Sequence, residues 1–85
     1  MVVVREVVWT RKFERELRKV RDRALKDRVK EQIKKILDNS DVGKPLRFSL
    51  KGEHSIYIPP YRLIYSVQNE TLYLLRFEHR KIVYR

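Results

Sequence analysis

The most unusual side chain in the last third of the sequence is Arg62, which lies within a largely apolar and aromatic run at 61–67. A guanidinium presents a fork of N–H donors that can bind two phosphate oxygens at once. The alternative is an arginine that is solvated, or that pairs with Glu53 or Glu78, and this is the commoner outcome for arginine in folded proteins. The sequence leaves both interpretations open.

A second group of reactive side chains lies at 77–84, where an imidazole, two cations and a phenol occur within one segment. Cleavage of RNA by its own 2′-hydroxyl needs a base for that proton, cations to hold charge on the phosphorane, and an acid for the leaving oxygen. Histidine changes charge near neutral pH, so His79 is a candidate acid or base. Arg62 and Arg80 are candidates to stabilise the phosphate, and Tyr84 is a candidate to position or stack on a base.

These residues also have structural alternatives. A basic segment near a chain end is most often solvated, Tyr84 can fill the edge of a core, and a lone histidine is more often structural than catalytic. His54, at the start of a predicted strand, is interpreted as structural. The sequence has no Gly-rich phosphate loop and no Ser-His-Asp order. With no cysteine and two histidines, it predicts no metal and no cofactor.

The elements that must position these residues begin with a β-branched run at 2–8, which predicts a strand ending near Trp9. Thr10 is a suitable helix N-cap. Two apolar stripes, out of phase by about one residue, predict two helices over 11–21 and 23–39 rather than one long rod. Asp22 is the candidate cap at the break between them. We therefore predict a two-helix hairpin after the first strand.

The remainder of the sequence reads as strands and turns. Strands are predicted at 46–51, 54–58, 61–67 and 71–78, with Gln68, Asn69 and Glu70 forming the last hairpin turn. The predicted fold class is α+β: one strand, the helical hairpin, then an antiparallel sheet of about four strands with both helices on one face. The opposite face of the sheet is not needed for the core and is available for a functional site.

The composition limits the partners. The chain has 85 residues and a formal net charge of +10, with 42% hydrophobic residues. This fits a single folded domain over 1–85 whose positive potential favours RNA, DNA or acidic protein segments. The apolar start is interrupted by Arg5 and Glu6 and is too short to span a membrane. We expect a cytoplasmic protein with no membrane partner.

The order of elements, together with the segments at 50–52, 61–67 and 79–84, resembles the RelE/ParE toxin superfamily. Their sequences are Leu-Lys-Gly, Tyr-Arg-Leu-Ile-Tyr-Ser-Val and His-Arg-Lys-Ile-Val-Tyr. The resemblance implies the toxin of a type II toxin–antitoxin pair. In the RelE branch it implies a ribosome-dependent endoribonuclease that cuts mRNA in the decoding site without a metal. The implied partners are the ribosome, mRNA and an acidic antitoxin that wraps the toxin.

By this resemblance Arg62 matches the strand arginine of the family, and Tyr84 matches its C-terminal tyrosine. Arg80, or alternatively His79, matches the C-terminal basic position. The sequence departs from the active RelE branch at Tyr57, where a basic residue is expected, and it stops where many members continue into a terminal helix. The expected RNA contacts are Arg47, Lys51, Tyr57, Lys81 and Arg85.

Two other functions remain open at this point. One is a non-enzymatic toxin of the ParE branch that poisons DNA gyrase. The other is a catalytically degenerate member that binds its antitoxin and RNA. Cleaved mRNA would indicate the endonuclease, and loss of gyrase supercoiling activity would indicate the gyrase poison. Harmless expression would indicate the degenerate member.

Overall fold

The computed structural model describes residues 4–46 and 52–79. These residues form two helices and a five-stranded mixed sheet, which confirms the predicted α+β class. The elements in chain order are β1 (Glu6–Trp9), α1 (Arg11–Arg18), α2 (Arg23–Asp38), β2 (Lys44–Pro45), β3 (His54–Ile58), β4 (Tyr61–Gln68) and β5 (Thr71–His79).

The sheet has the strand order β1-β5-β4-β3-β2. The pairs from β2 to β5 are antiparallel, as predicted, whereas β1 runs parallel to β5 and becomes the fifth strand. In this parallel pair Val7 lies opposite Leu72 and Trp9 lies opposite Leu74. The first strand therefore completes the sheet at the edge next to the last described strand.

Both predicted helix caps are present. The hydroxyl of Thr10 accepts a hydrogen bond from the amide of Phe13 at 3.2 Å, and it donates to the carbonyl of Leu74 at 2.7 Å. The carboxylate of Asp22 accepts hydrogen bonds from the first amides of α2. Satisfying free amides in this way stabilises a helix start. Thr10 therefore also ties the start of α1 to β5.

The strand predicted at 46–51 falls outside the described residues except for Leu46, which is not in a strand. A two-residue strand, β2, lies just before it and pairs Lys44 with Ser55 and Pro45 with His54. Proline has no N–H to donate, and an edge strand such as β2 tolerates it. The amide of Leu46 donates to the carbonyl of Glu53 at 2.9 Å.

The hairpin between β4 and β5 turns at Asn69 and Glu70, which both have positive φ, at 51° and 66°. Two central residues with positive φ match the twist of a two-residue hairpin loop. The predicted turn is thus confirmed, although Gln68 belongs to β4. An irregularity in the pairing between Ile64 and Tyr65 shifts the register farther along the hairpin.

The core lies between the helices and one face of the sheet. α1 packs on β5 and α2 packs on β3. The buried cluster joins residues from both helices and from the segment between them to residues of β3, β4 and β5: Phe13, Val20, Leu25, Val29, Ile33, Ile36, Ile58, Leu63, Tyr65, Leu72, Leu74 and Phe77. No helix in the described part of the chain is long and apolar enough to cross a membrane.

Candidate phosphate-binding site on the open sheet face

The sheet face turned away from the helices carries the candidate site, and we refer to it as the open face. Side chains alternate between the two faces of a strand, and residues paired in register share a face. Leu63 and Phe77 are paired and belong to the core. Their neighbours, the pair Arg62 and Glu78, therefore lie on the open face. Its members in the middle strands are Ser55, Tyr57, Arg62, Ile64, Ser66, Tyr73, Arg76 and Glu78.

Arg62 lies in the middle of three paired residues on this face, between Tyr57 of β3 and Glu78 of β5. Its side chain is half-buried. Opposite charges directly across a sheet usually attract one another. Within residues 4–46 and 52–79, however, Arg62 forms no ion pair or side-chain hydrogen bond. The pairing with Glu53 or Glu78 considered from the sequence is absent in this part of the structure.

Both of those carboxylates bind Arg76 instead. Its Nε donates to Oε1 of Glu78 at 2.6 Å, and its Nη2 donates to Oε1 of Glu53 at 2.9 Å. The three side chains are between 16% and 29% exposed, so water screens these ion pairs only in part. We refer to Glu53, Arg76 and Glu78 as the Arg76 clamp.

The clamp holds Arg76 in its charged form. Burial alone would lower the pKa of the guanidinium, but the hydrogen bonds and negative charges of Glu53 and Glu78 raise the pKa above its ordinary value. Arginine is already charged at every physiological pH. Arg76 therefore keeps its positive charge throughout the physiological pH range.

His79 lies on the other side of the sheet from Arg62. It pairs in register with Tyr61, and the two rings meet edge to face with centroids 5.1 Å apart. Tyr61 in turn stacks on the buried ring of Phe77 at 4.5 Å. Because His79 joins this aromatic stack beside the core, the structure does not bring it together with Arg62.

Of the other predicted site residues, the structure describes Tyr57, which is directly opposite Arg62 and 53% exposed. A ring in this position is open to contact by a ligand bound at Arg62. The remaining predicted residues lie outside the described residues: Arg47, Lys51, Arg80, Lys81, Tyr84 and Arg85.

His54, interpreted as structural, stacks on Tyr65 with ring centroids 5.4 Å apart. Its Nδ1 lies 3.0 Å from the carbonyl oxygen of Gly52. Both contacts are with the protein's own scaffold, and they suit a packing role. No three potential metal ligands come together among the residues that the structure describes.

A depression of about 490 Å³ adjoins the Arg76 clamp. Open-face residues of β4 and β5 form its floor, and α1 contributes one cation at the rim. Its lining residues are Lys12, Glu53, Ser66, Gln68, Tyr73, Leu75 and Arg76. The depression offers an aromatic ring and several hydrogen-bonding groups beside Arg76, and these are features that bind unpaired nucleotides.

A second concave surface of about 520 Å³ lies on the helix side, and we refer to it as the helical groove. Its apolar residues are Trp9, Leu17 and Val29, and Trp9 is 42% exposed. Charged residues line it as well, three basic and one acidic: Arg18, Lys26, Lys30 and Glu14. An apolar floor with a mainly cationic border suits an acidic amphipathic segment.

Comparisons with known proteins agree with this architecture. A family model described as the ParE toxin of the type II toxin–antitoxin system parDE matches residues 7–84. The chain therefore belongs to the ParE toxin family, within the wider RelE/ParE superfamily that its sequence resembles.

Two relatives from Mycobacterium tuberculosis carry RelE-type names. Toxin RelG of strain ATCC 25618 / H37Rv is 46% identical over 46 residues, which cover 52% of this chain and 53% of that protein. The match thus spans about half the length of that relative. The crystal structure of the toxin–antitoxin complex RelBE2 contains a chain with a TM-score of 0.73 and 34% identity. That match covers 92% of the present chain and 100% of the other.

Sequence reasoning missed Arg76, although the signal was available. Arg76 follows Leu74 and Leu75 and precedes Phe77, so it is an arginine inside an apolar strand, as Arg62 is. The rule that singled out Arg62 applies equally to Arg76. Its binding to Glu78 on its own strand and to Glu53 just before β3 depends on the tertiary structure, which one sequence does not reveal.

Proposed function

We propose that this protein is the toxin of a type II toxin–antitoxin pair and acts as a ribosome-dependent, metal-independent endoribonuclease on mRNA. The observation that supports this most is the half-buried guanidinium of Arg62 without an acidic partner among residues 4–46 and 52–79. A cation in this position attracts a phosphate without first breaking an ion pair. The work of the protein would then be done in the cytoplasm, on translating ribosomes.

In the proposed mechanism the message lies across the open face, with its scissile phosphate at Arg62. The 2′-oxygen attacks phosphorus and gives up its proton to water, the bond from phosphorus to the 5′-oxygen breaks, and the leaving oxygen takes a proton from water. The guanidinium stabilises the charge that develops on the phosphorane during this step. Tyr57 lies beside this phosphate and can stack on a neighbouring base. The depression that adjoins the Arg76 clamp provides room for a further nucleotide.

The remaining roles are assigned from the family resemblance. Arg80 supplies the second cation, Tyr84 positions the message, and Arg47, Lys51, Lys81 and Arg85 contact the RNA backbone. His79 is the predicted acid or base, but its contact with Tyr61 favours a packing role instead. We therefore assign the charge-stabilising role to the two arginines and leave His79 as support for the end of β5.

The proposed inhibitor is an antitoxin whose acidic amphipathic segment docks in the helical groove. Leucine-sized side chains would enter beside Trp9 and Leu17, while carboxylates would meet Lys26 and Lys30. The solved relative is a toxin–antitoxin complex, and this supports a protein partner of the same class here. Binding in the groove leaves the open face uncovered, so inhibition requires a second antitoxin segment that reaches Arg62.

The test is to map mRNA ends in a translating extract with the wild-type protein, Arg62→Ala and Tyr84→Phe. We expect wild-type cuts inside codons of ribosome-bound message, and a loss of about 100-fold or more in the Arg62 variant. Arg5→Ala is the matched control, because Arg5 is an exposed arginine paired with Glu70 at the sheet edge. Uncut message with active wild-type protein, shown by its antitoxin binding, would refute the nuclease proposal.

A second candidate, poisoning of DNA gyrase, is favoured by the match to the ParE toxin model. The charges of the open face are also nearly balanced in the described residues, where Glu53 and Glu78 offset the two arginines. Loss of gyrase supercoiling with intact message would support this candidate. Normal supercoiling together with cleaved message would exclude it.

A further inference from the structure

The Arg76 clamp has a geometric peculiarity that bears on Arg62. Glu78 is directly opposite Arg62 across β4 and β5, yet its Oε1 binds Nε of Arg76, two residues away on its own strand. Arg76 is opposite Ile64, which lies on the same face of β4 as Arg62. Glu78 thus stands between two arginines and binds the one that also holds Glu53.

The balance of charge explains what would change without Arg76. With the clamp intact, the charges of Arg62, Arg76, Glu53 and Glu78 cancel. Without Arg76, Glu78 would lose the cation that it binds, and burial makes an unpaired charge costly. The nearest described cation opposite Glu78 is Arg62. A new ion pair between them would occupy the donors of Arg62 and place a negative charge where phosphate has to bind.

We propose that Arg76 is a positioning residue that holds Glu78 away from Arg62, within the clamp that also contains Glu53, and so keeps the Arg62 guanidinium available for an RNA phosphate. This inference rests on the phosphate-binding role proposed for Arg62. Arg76 acts through the two carboxylates and does not itself contact the phosphate. Arginine suits this task because its fork of donors binds two carboxylates at once, which the single ammonium of lysine does less well.

The clamp also has an ordinary structural role, since it links the segment before β3 to β5. Loss of stability in an Arg76 variant is therefore expected under either interpretation. The positioning role makes a further prediction: neutralising the carboxylates restores ligand binding even though the clamp remains broken. A purely structural role predicts no such restoration.

The experiment measures binding of a short single-stranded RNA with 2′-O-methyl riboses, which cannot be cleaved by 2′-hydroxyl attack. We expect Arg76→Met to weaken binding about fivefold or more at low salt. The triple variant Glu53→Gln/Arg76→Met/Glu78→Gln should return to within about twofold of the wild type. In an Arg62→Ala background, Arg76→Met should have little further effect because the group that it protects is gone.

Arg5→Met is the matched control, because it removes an arginine from an exposed ion pair that does not include Arg62 or either carboxylate of the clamp. Its effect should reflect the lower net charge alone and stay below about twofold. Unchanged binding by Arg76→Met, or no recovery in the triple variant, would overturn the inference. Thermal unfolding of each variant identifies any that are unfolded at the assay temperature.

A crystal structure of Arg76→Met separates this inference from the proposed function. We expect an Arg62–Glu78 ion pair in that variant, and an Arg62 that remains unpaired would overturn the positioning role whatever the RNA does. Equal RNA binding by the wild type and Arg62→Ala would instead refute the phosphate-binding role of Arg62. The same crystal structure would then still decide whether Arg76 holds Glu78 away from Arg62.

Discussion

The phenol oxygen of Tyr65 accepts a hydrogen bond from the backbone amide of Gly43 at 3.0 Å. It also donates to the carbonyl of Ser40 at 2.8 Å. Tyr65 is fully buried in β4, whereas Ser40 and Gly43 belong to the connection between α2 and β2. One side chain therefore fixes the path by which the chain leaves the helices and joins the far edge of the sheet.

Removing this hydroxyl should lower stability. We expect Tyr65→Phe to reduce the free energy of unfolding by about 1–3 kcal/mol, because it leaves a buried amide and a buried carbonyl without their partner. Urea denaturation measures the change. Tyr73→Phe is the matched control, since Tyr73 is half-buried on the open face and its hydroxyl makes no hydrogen bond within the described residues. Equal losses in the two variants would contradict this account.

The same tyrosine should make stability fall in alkaline solution. Burial raises the pKa of Tyr65, an effect that the hydrogen bond from Gly43 opposes and the charge of Asp41 reinforces. An unfolded tyrosine releases its proton above about pH 10, so the unfolded state then binds fewer protons than the folded state. The contribution is complete below about pH 10 and is lost as the pH rises through the folded pKa.

Unfolding free energies measured between pH 9 and pH 11.5 should therefore decline more steeply for the wild type than for Tyr65→Phe. The limiting difference in slope is about 1.4 kcal/mol per pH unit for one proton. Lysine titration affects both proteins alike and cancels in the comparison. Parallel curves would show that Tyr65 does not cause the alkaline loss.

Position 43 requires glycine because there is no space for a side chain. Its backbone conformation is one that other residues also adopt. A Cβ added there would lie 2.8 Å from Cε1 and from the hydroxyl oxygen of Tyr65, and 3.0 Å from the backbone carbonyl of Ser55. We expect Gly43→Ala to cost about 1–3 kcal/mol of stability. Part of the clash disappears with the hydroxyl, so Gly43→Ala and Tyr65→Phe should cost less together than the sum of their separate effects. Strict additivity in denaturant unfolding would argue against the contact.

The helical groove should govern antitoxin association through charge. Reversing two border charges with Lys26→Glu and Lys30→Glu should slow association about tenfold or more at low salt, with a smaller effect at high salt. Lys34→Glu together with Lys35→Glu is the matched control, because it also reverses two charges on α2 but outside the groove. Stopped-flow association rates across a salt series give the comparison. An equal slowing by the control would assign the effect to net charge alone.

Local chemistry was the part of the fold that the sequence predicted best. Thr10 and Asp22 were identified as caps because a cap depends on a side chain and amides two or three residues away. The hairpin turn at Asn69 was found for the same reason. By contrast, β2 has two residues and too few positions for any periodicity, and the parallel pairing of β1 with β5 depends on contacts between distant parts of the chain.

The candidate phosphate-binding site was also predicted where it depends on local sequence, and missed where it depends on the fold. Arg62 stood out because a cation inside an apolar strand is unusual, and the structure places it on the open face. Whether Arg62 forms an ion pair depends on whether Glu78 binds Arg62 or Arg76. The sequence does not decide this, because it depends on the positions of the three side chains in the folded sheet. His79 looked like a partner of Arg62 in the linear sequence. Because Arg62 pairs with Glu78, the next residue along β5 has to face the other way.

The parallel pairing of β1 with β5 has a consequence for how the protein is made. Residues 6–9 are synthesised more than sixty positions before their partners at 71–74. Until β5 has been made, β1 therefore has no neighbouring strand to pair with. The sheet that carries Arg62 therefore reaches its full strand order only after β5 has been synthesised.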